Sequence, residues 1–190
     1  MKIVLNEIQY MNLQEAIRQK DRMDFGMEHD VYDFEKRPDR VIKVGETRYV
    51  KKWVELFSKY PDLFPKIYKV KVSVQDPEVT NVELERLDTK TFREDFRSLL
   101  DVLGQINPND GVFDTISRIG TNEERMDDIV NKINDINPEM SGFFIKLHDV
   151  VLRVNSLMRM FETFDVGVKQ FGYEVIGNNK EDWNIKCLDK

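Results

Sequence analysis

The hydrophobic pattern of this chain changes its period once, near Asp88, and this change limits the folds that the chain can adopt. Before it, branched apolar residues alternate with polar ones, as in residues 40–44 and 66–74. After it, apolar residues recur every three or four positions, most regularly over residues 144–161. A period of two is typical of strands and a period near 3.6 of helices. We therefore expect an α+β protein.

Length and composition exclude several classes of protein. With 190 residues, 41% of them apolar, the chain can bury a sizeable core. A net charge of -6 without a basic block does not favour nucleic acid as a partner. The single cysteine, Cys187, cannot form an internal disulfide, and no 18-residue apolar run predicts a membrane span. These features predict a cytoplasmic protein that does not bind membranes.

The sheet-rich part is predicted to begin with a short helix near Leu13, capped by Asn12, and to contain a second helix among its strands. A turn over residues 35–39 joins two strands into a hairpin, whose second strand carries Lys43. A helix with Glu55 follows, and then two further strands, the last ending in Glu85-Arg86-Leu87-Asp88. In the helical part, the pattern predicts helices over residues 91–103, from a capping box at Thr121 to Glu124, and from Asn137-Pro138 onward.

The last 26 residues carry the most informative polar set. Asp165 is followed five residues later by Gln170, and Asp189 comes after a turn rich in Gly and Asn. Two carboxylates and an amide can orient a hydroxyl and hold Mg²⁺, which is what phosphoryl transfer requires. Residues 171–173 and 184–188 are predicted to form the two strands of a hairpin between them. The alternative is a set of ordinary surface carboxylates beside a hairpin.

The order of these features resembles that of protein kinases. The kinase N-lobe through its hinge is similar to the order found here, which is a strand, a strand with Lys43, a helix with Glu55, a strand, and a strand ending in E-x-L-D. Asp165 and Gln170 keep the five-residue spacing of the kinase catalytic Asp and metal-binding Asn. The F-G-Y and K-C-L-D strings also resemble small kinase-like proteins of phages or their bacterial hosts. The resemblance implies a truncated kinase-like fold with a sheet-rich N-lobe over residues 1–88 and a small helical C-lobe over residues 89–190.

The resemblance also implies ATP and Mg²⁺ as cofactors and gives individual residues a role. Lys43 would contact the phosphates and pair with Glu55, Val31 would cover the adenine, and residues 84–87 would lie behind and beside the base. The implied set is Val31, Lys43, Glu55, Leu84, Glu85 and Leu87 for the nucleotide, Asp165 for catalysis, and Gln170 and Asp189 for the metal. Alternatively, Lys43 is a solubilising edge-strand lysine and Glu55 lies on a solvated helix face.

Departures from the kinase pattern argue against peptide phosphorylation. Thr163-Phe164 replaces the His-Arg before the catalytic Asp, and Gln170 replaces the metal-binding Asn. Gly26 is the only glycine in the candidate phosphate loop, and no activation segment follows Asp189. His29 and His148 have no partner at zinc-ligand spacing.

We therefore expect a pseudokinase that acts as a binding or assembly module with a vestigial ATP/Mg²⁺ site. It would engage a protein partner, for example within a phage particle, so that it would reside in the host cytoplasm or the virion. One alternative is an active small nucleotide-dependent phosphotransferase. The other is a structural or virion α+β protein unrelated to kinases.

Overall fold

The computed structural model describes residues 22–25, 29–33, 37–161 and 170–188. It is an α+β protein, as the sequence predicts. The chain forms two compact units that divide between Arg86 and Leu87, and the short segment Asp62–Pro65 belongs to the second unit. The predicted helix near residue 13 lies outside the described residues. Within the described part of the chain, no helix is both long and apolar enough to cross a membrane.

The first unit is an antiparallel sheet with one helix. Its strands lie in the order β1-β2-β3-β5-β4, so β3 has a neighbour on each side and β4 is at the edge. The elements are β1 (Arg22–Phe25), β2 (His29–Asp33), β3 (Arg40–Glu46), α1 (Thr47–Lys59), β4 (Ile67–Val72) and β5 (Val79–Glu85). The predicted hairpin, the helix with Glu55 and both later strands are therefore confirmed.

Burial in the first unit follows the alternation of its strands. Odd-numbered residues of β3 and even-numbered residues of β5 are buried, so one face of the sheet forms the core. The helix α1 contributes Val50, Leu56 and Phe57 to that core. In contrast, β4 is exposed from Tyr68 to Val72.

The second unit packs helices against a small hairpin. Its elements are α2 (Thr89–Ile106), α3 (Val112–Ile119), α4 (Glu123–Ile136), α5 (Pro138–Phe161), β6 (Phe171–Glu174), a 3₁₀ turn (Lys180–Asp182) and β7 (Asn184–Cys187). The predicted terminal hairpin is confirmed as the pair β6–β7. The helix α3 is not among the three helices that the pattern of this part predicts.

Side-chain caps fix the starts of α2, α4 and α5 in the second unit. The Asp88 carboxylate accepts the N–H groups of Lys90 and Thr91 at 3.0 and 2.9 Å and so caps α2. Asn122, and not the predicted Thr121, caps α4 by accepting the N–H of Arg125 at 2.9 Å. The capping box at Thr121 was thus wrong by one residue. Asn137 caps α5 as predicted, accepting the N–H of Glu139.

Candidate functional site

Three residues with a predicted nucleotide role lie on one face of the first unit's sheet. In the register of the sheet, Lys43 stands between Val31 of β2 and Val82 of β5. Leu84 is two residues beyond Val82, and both are buried on the same side as Lys43. Lys43 itself is only 2% exposed. The structure thus places Val31 and Leu84 on the strands that flank the buried Lys43.

The two glutamates predicted for this site have other surroundings. Glu55 is exposed on α1, whereas Lys43 is buried. Glu85, the last residue of β5, accepts the backbone N–H of Lys66 on its carboxylate at 3.1 Å. The Glu85 N–H donates to the carbonyl of Lys66 at 2.9 Å. Glu85 therefore closes the end of the β4–β5 pair.

In the second unit, Gln170 lies where the terminal hairpin begins. Its carbonyl accepts the N–H of Leu188 at 2.5 Å, which continues the pairing of Phe171 with Cys187 by one step. The Gln170 side chain is buried, and an amide oxygen is a ligand that Mg²⁺ accepts. Leu188 immediately precedes Asp189. Asp165 and Asp189, the predicted catalytic and second metal residues, lie outside the described residues.

Leu87, the last of the predicted hinge residues, is buried against the same hairpin. A Cβ atom at Gly172 would lie 2.8 Å from the Leu87 Cβ, so only glycine allows β6 to approach this closely. One step further, Asp88 and Tyr173 exchange two backbone hydrogen bonds, of 2.9 and 3.1 Å. The segment that leads into α2 is therefore hydrogen-bonded to the strand that follows Gln170.

A charged cluster centred on the buried Asp95 joins α2 to the hairpin, and its members are not among the predicted site residues. Asp95 is buried, and its two carboxylate oxygens accept the Tyr173 hydroxyl at 2.5 Å and the Lys180 ammonium at 2.6 Å. Lys146 of α5 also donates to the carbonyls of Glu181 and Trp183. Because both Asp95 oxygens are occupied, the cluster ties the β6–β7 connection to the helices.

One sequence signal could have revealed this cluster. Asp95 stands three residues after Phe92 and four before Leu99, on the apolar stripe of α2. A carboxylate on a buried stripe requires a partner, since an unpaired buried charge is strongly unfavourable. No comparable pattern marks Lys180, which follows a polar turn.

The cluster shifts the titration of its tyrosine. Burial raises the pKa of the Tyr173 hydroxyl, and the hydrogen bond to the Asp95 carboxylate and its negative charge raise it further. A group whose pKa is raised by folding stabilises the fold below its pKa in the unfolded chain, about 10 for tyrosine. That contribution is lost as the pH rises above about 10, because the unfolded chain then releases the proton more readily.

Replacing this tyrosine should therefore change how stability depends on pH. We expect the free energy of unfolding of the wild-type second unit to fall by up to about 1.4 kcal/mol for each pH unit above about 10. In Tyr173→Phe, this part of the decline should disappear, while about 2 kcal/mol is lost at neutral pH with the hydrogen bond. Urea titrations at several pH values measure both effects. Tyr68→Phe, on the exposed strand β4, is the matched control, and an equal change in it would contradict the assignment.

The described residues offer only part of a metal site. Among them, no three His, Cys, Asp or Glu side chains are grouped closely enough to hold a metal ion. Gln170 is the one described member of the predicted metal set, and it supplies an amide oxygen. Searches against protein-family models, curated proteins and solved structures found no match to this chain.

Proposed function

We propose that this protein is a degenerate kinase-like binding module that retains contact with a nucleotide. The kinase resemblance implies a strand, a strand with a lysine, a helix with a glutamate, and two more strands. The first unit has β2, β3 with Lys43, α1 with Glu55, β4 and β5 in that order. In the second unit, Gln170 leads into a hairpin whose last described residue, Leu188, precedes Asp189.

The observation that carries the proposal is the burial of Lys43 on a central strand. A solubilising lysine belongs on an exposed edge, but β3 is flanked by β2 and β5, and Lys43 is 2% exposed. Fully buried lysines are rare, so the position of Lys43 requires a reason other than solubility. With Val31 and Leu84 on the same face, this environment suits a phosphate beside an apolar base.

The same residues support binding more than turnover. Phosphoryl transfer depends on placing metal ions and a general base to within fractions of an ångström. Gln170 carries one methylene more than the Asn of the kinase pattern, and the His-Arg pair is replaced by Thr163-Phe164. We infer that Lys43 orients the phosphates of the nucleotide within the first unit. The biochemical function would then be to recognise a protein partner and not to phosphorylate a peptide.

Mg-ATP should stabilise the wild-type protein through Lys43. We expect millimolar Mg-ATP to raise the melting temperature by several degrees, because a ligand that binds only the folded state stabilises it in proportion to RT ln(1 + [L]/Kd). The shift should be lost in Lys43→Ala and retained in Lys51→Ala, a matched change on the exposed side of α1. Differential scanning fluorimetry measures it, with Mg²⁺ alone as the reference for each variant.

The outcomes separate the candidate functions. A shift that is unchanged in Lys43→Ala would reject the nucleotide contact at this lysine. The absence of any shift in the wild type would reject the nucleotide part of the proposal. Steady release of phosphate from Mg-ATP that is lost in Asp165→Asn would show an active phosphotransferase, contrary to the proposal.

A further inference from the structure

The edge strand β4 is poorly covered by the rest of the described first unit. It is exposed from Tyr68 to Val72, and in the described part of the chain no strand pairs with its outer edge. The exposed fractions of Val70, Val72 and the following Val74 are 45%, 46% and 88%. Exposed valines on an open edge are unusual, because such edges tend to pair with other chains.

The other side of β4 carries positive charge. Lys69 and Lys71 alternate with the valines and are exposed, and Lys66 precedes the strand. Residues 66–74 contain no acidic residue, although the whole chain has a net charge of -6. The strand therefore presents a row of valines on one face of the sheet and a row of lysines on the other.

The inner partner of β4 shows which sequence pairs with these two rows. On β5, Val82 stands opposite Val70, and Glu83 stands opposite Lys69. The β5 segment Val82-Glu83-Leu84-Glu85 thus alternates apolar and acidic residues. The side chains of β4 are neighbours both of the strand on its inner edge and of any strand on its outer edge. A strand at the outer edge would therefore also place apolar residues beside the valines and acidic residues beside the lysines.

The backbone of β4 is also oriented for pairing. Ser73, which follows β4, donates its N–H to the carbonyl of Val79 at 2.8 Å, so its polar groups point inward to β5. In an antiparallel pair this direction alternates from residue to residue. The N–H and C=O groups of Val70 and Val72 therefore point to the outer edge.

We infer that the outer edge of β4 binds an extended segment of another protein in which acidic and apolar residues alternate. The segment adds a sixth strand, with backbone hydrogen bonds to Val70 and Val72 and its carboxylates beside Lys69 and Lys71. Two β4 strands paired about Val70 do not fit, since Lys69 of one copy would then stand opposite Lys71 of the other.

This inference rests on the proposed role as a binding module, but not on nucleotide contact. The probe is an acetylated and amidated peptide that copies residues 79–86 with Asn81→Glu, so that both lysines can meet a carboxylate. Hydrogen exchange measured by NMR on the intact protein should show new protection at the amides of Val70 and Val72. The amides of Lys69 and Lys71, which already face β5, should change little. The Mg-ATP melt on the same preparation tests the nucleotide contact separately.

Charge reversal supplies the specificity test. Lys71 stands opposite the neutral Asn81, so the glutamate in Lys71→Glu does not face another carboxylate directly across the β4–β5 pair. We expect Lys71→Glu to weaken peptide binding about fivefold to tenfold. A peptide with Lys only at the position that faces residue 71 should recover affinity for that variant. Lys51→Glu on α1 should leave binding unchanged. Absence of protection at Val70 and Val72, equal weakening in both variants, or dimerisation of the free protein through β4 would overturn the inference.

Discussion

Phe92→Ala is expected to lower the free energy of unfolding of the second unit by about 3 to 5 kcal/mol. Phe92 is fully buried on α2. Its ring centroid lies 5.6 Å from that of Phe143, 5.9 Å from that of Phe171 and 5.5 Å from that of Tyr173. One side chain therefore joins α2, α5 and β6. Its truncation leaves a cavity whose walls belong to three elements, and rigid neighbours of this kind collapse poorly into a void.

The measurement can be confined to the second unit because each unit contains one tryptophan, Trp53 or Trp183. In a Trp53→Phe background, urea unfolding followed by Trp183 fluorescence reports on the second unit. Leu100→Ala is the matched control, since Leu100 lies on the same helix and is 42% exposed. We expect it to change stability by less than about 1 kcal/mol. Similar losses in both variants would mean that Phe92 does not stand at the centre of this core.

The parts of the fold that the sequence predicted are those with a local cause. The hairpin β6–β7 follows from two short apolar runs around the turn at Gly177-Asn178-Asn179, and Gly177 adopts the positive φ of 63° that such a turn favours. The start of α5 follows from Asn137-Pro138. In contrast, α3 is only eight residues long. Its buried Val112, Ile116 and Ile119 cover about two helical turns, which are too few repeats to distinguish a helix from a loop.

Features that depend on pairing between distant segments were beyond local patterns. The placement of β5 between β3 and β4 is a crossover, which no alternation within one strand specifies. The same limit applies to the candidate site. The sequence offered Lys43 as either a phosphate contact or an edge lysine, and only the position of β3 excludes the edge. The contacts of Asp95 with Tyr173 and Lys180 span 78 and 85 residues.

Gly172→Ala is expected to destabilise the second unit by about 2 to 3 kcal/mol. The added methyl group would lie 2.8 Å from the Leu87 Cβ and 3.2 Å from the Thr89 Cγ2. Both atoms are close to the backbone, which is itself tied to β6 by the two hydrogen bonds between Asp88 and Tyr173. Neither neighbour can turn away as the end of a long side chain can, so the strand must shift.

Gly104→Ala provides the opposite expectation for the same chemical change. Gly104 lies inside α2, and nothing is within 4 Å of a Cβ placed there. Alanine should stabilise that helix by about 0.5 to 1 kcal/mol, because glycine loses more backbone freedom on folding. The two variants should therefore shift the urea midpoint in opposite directions. If Gly172→Ala were also neutral or stabilising, β6 would not pack against residues 87–89. Gln170, two residues before Gly172, would then lack the fixed position that a role at a metal requires.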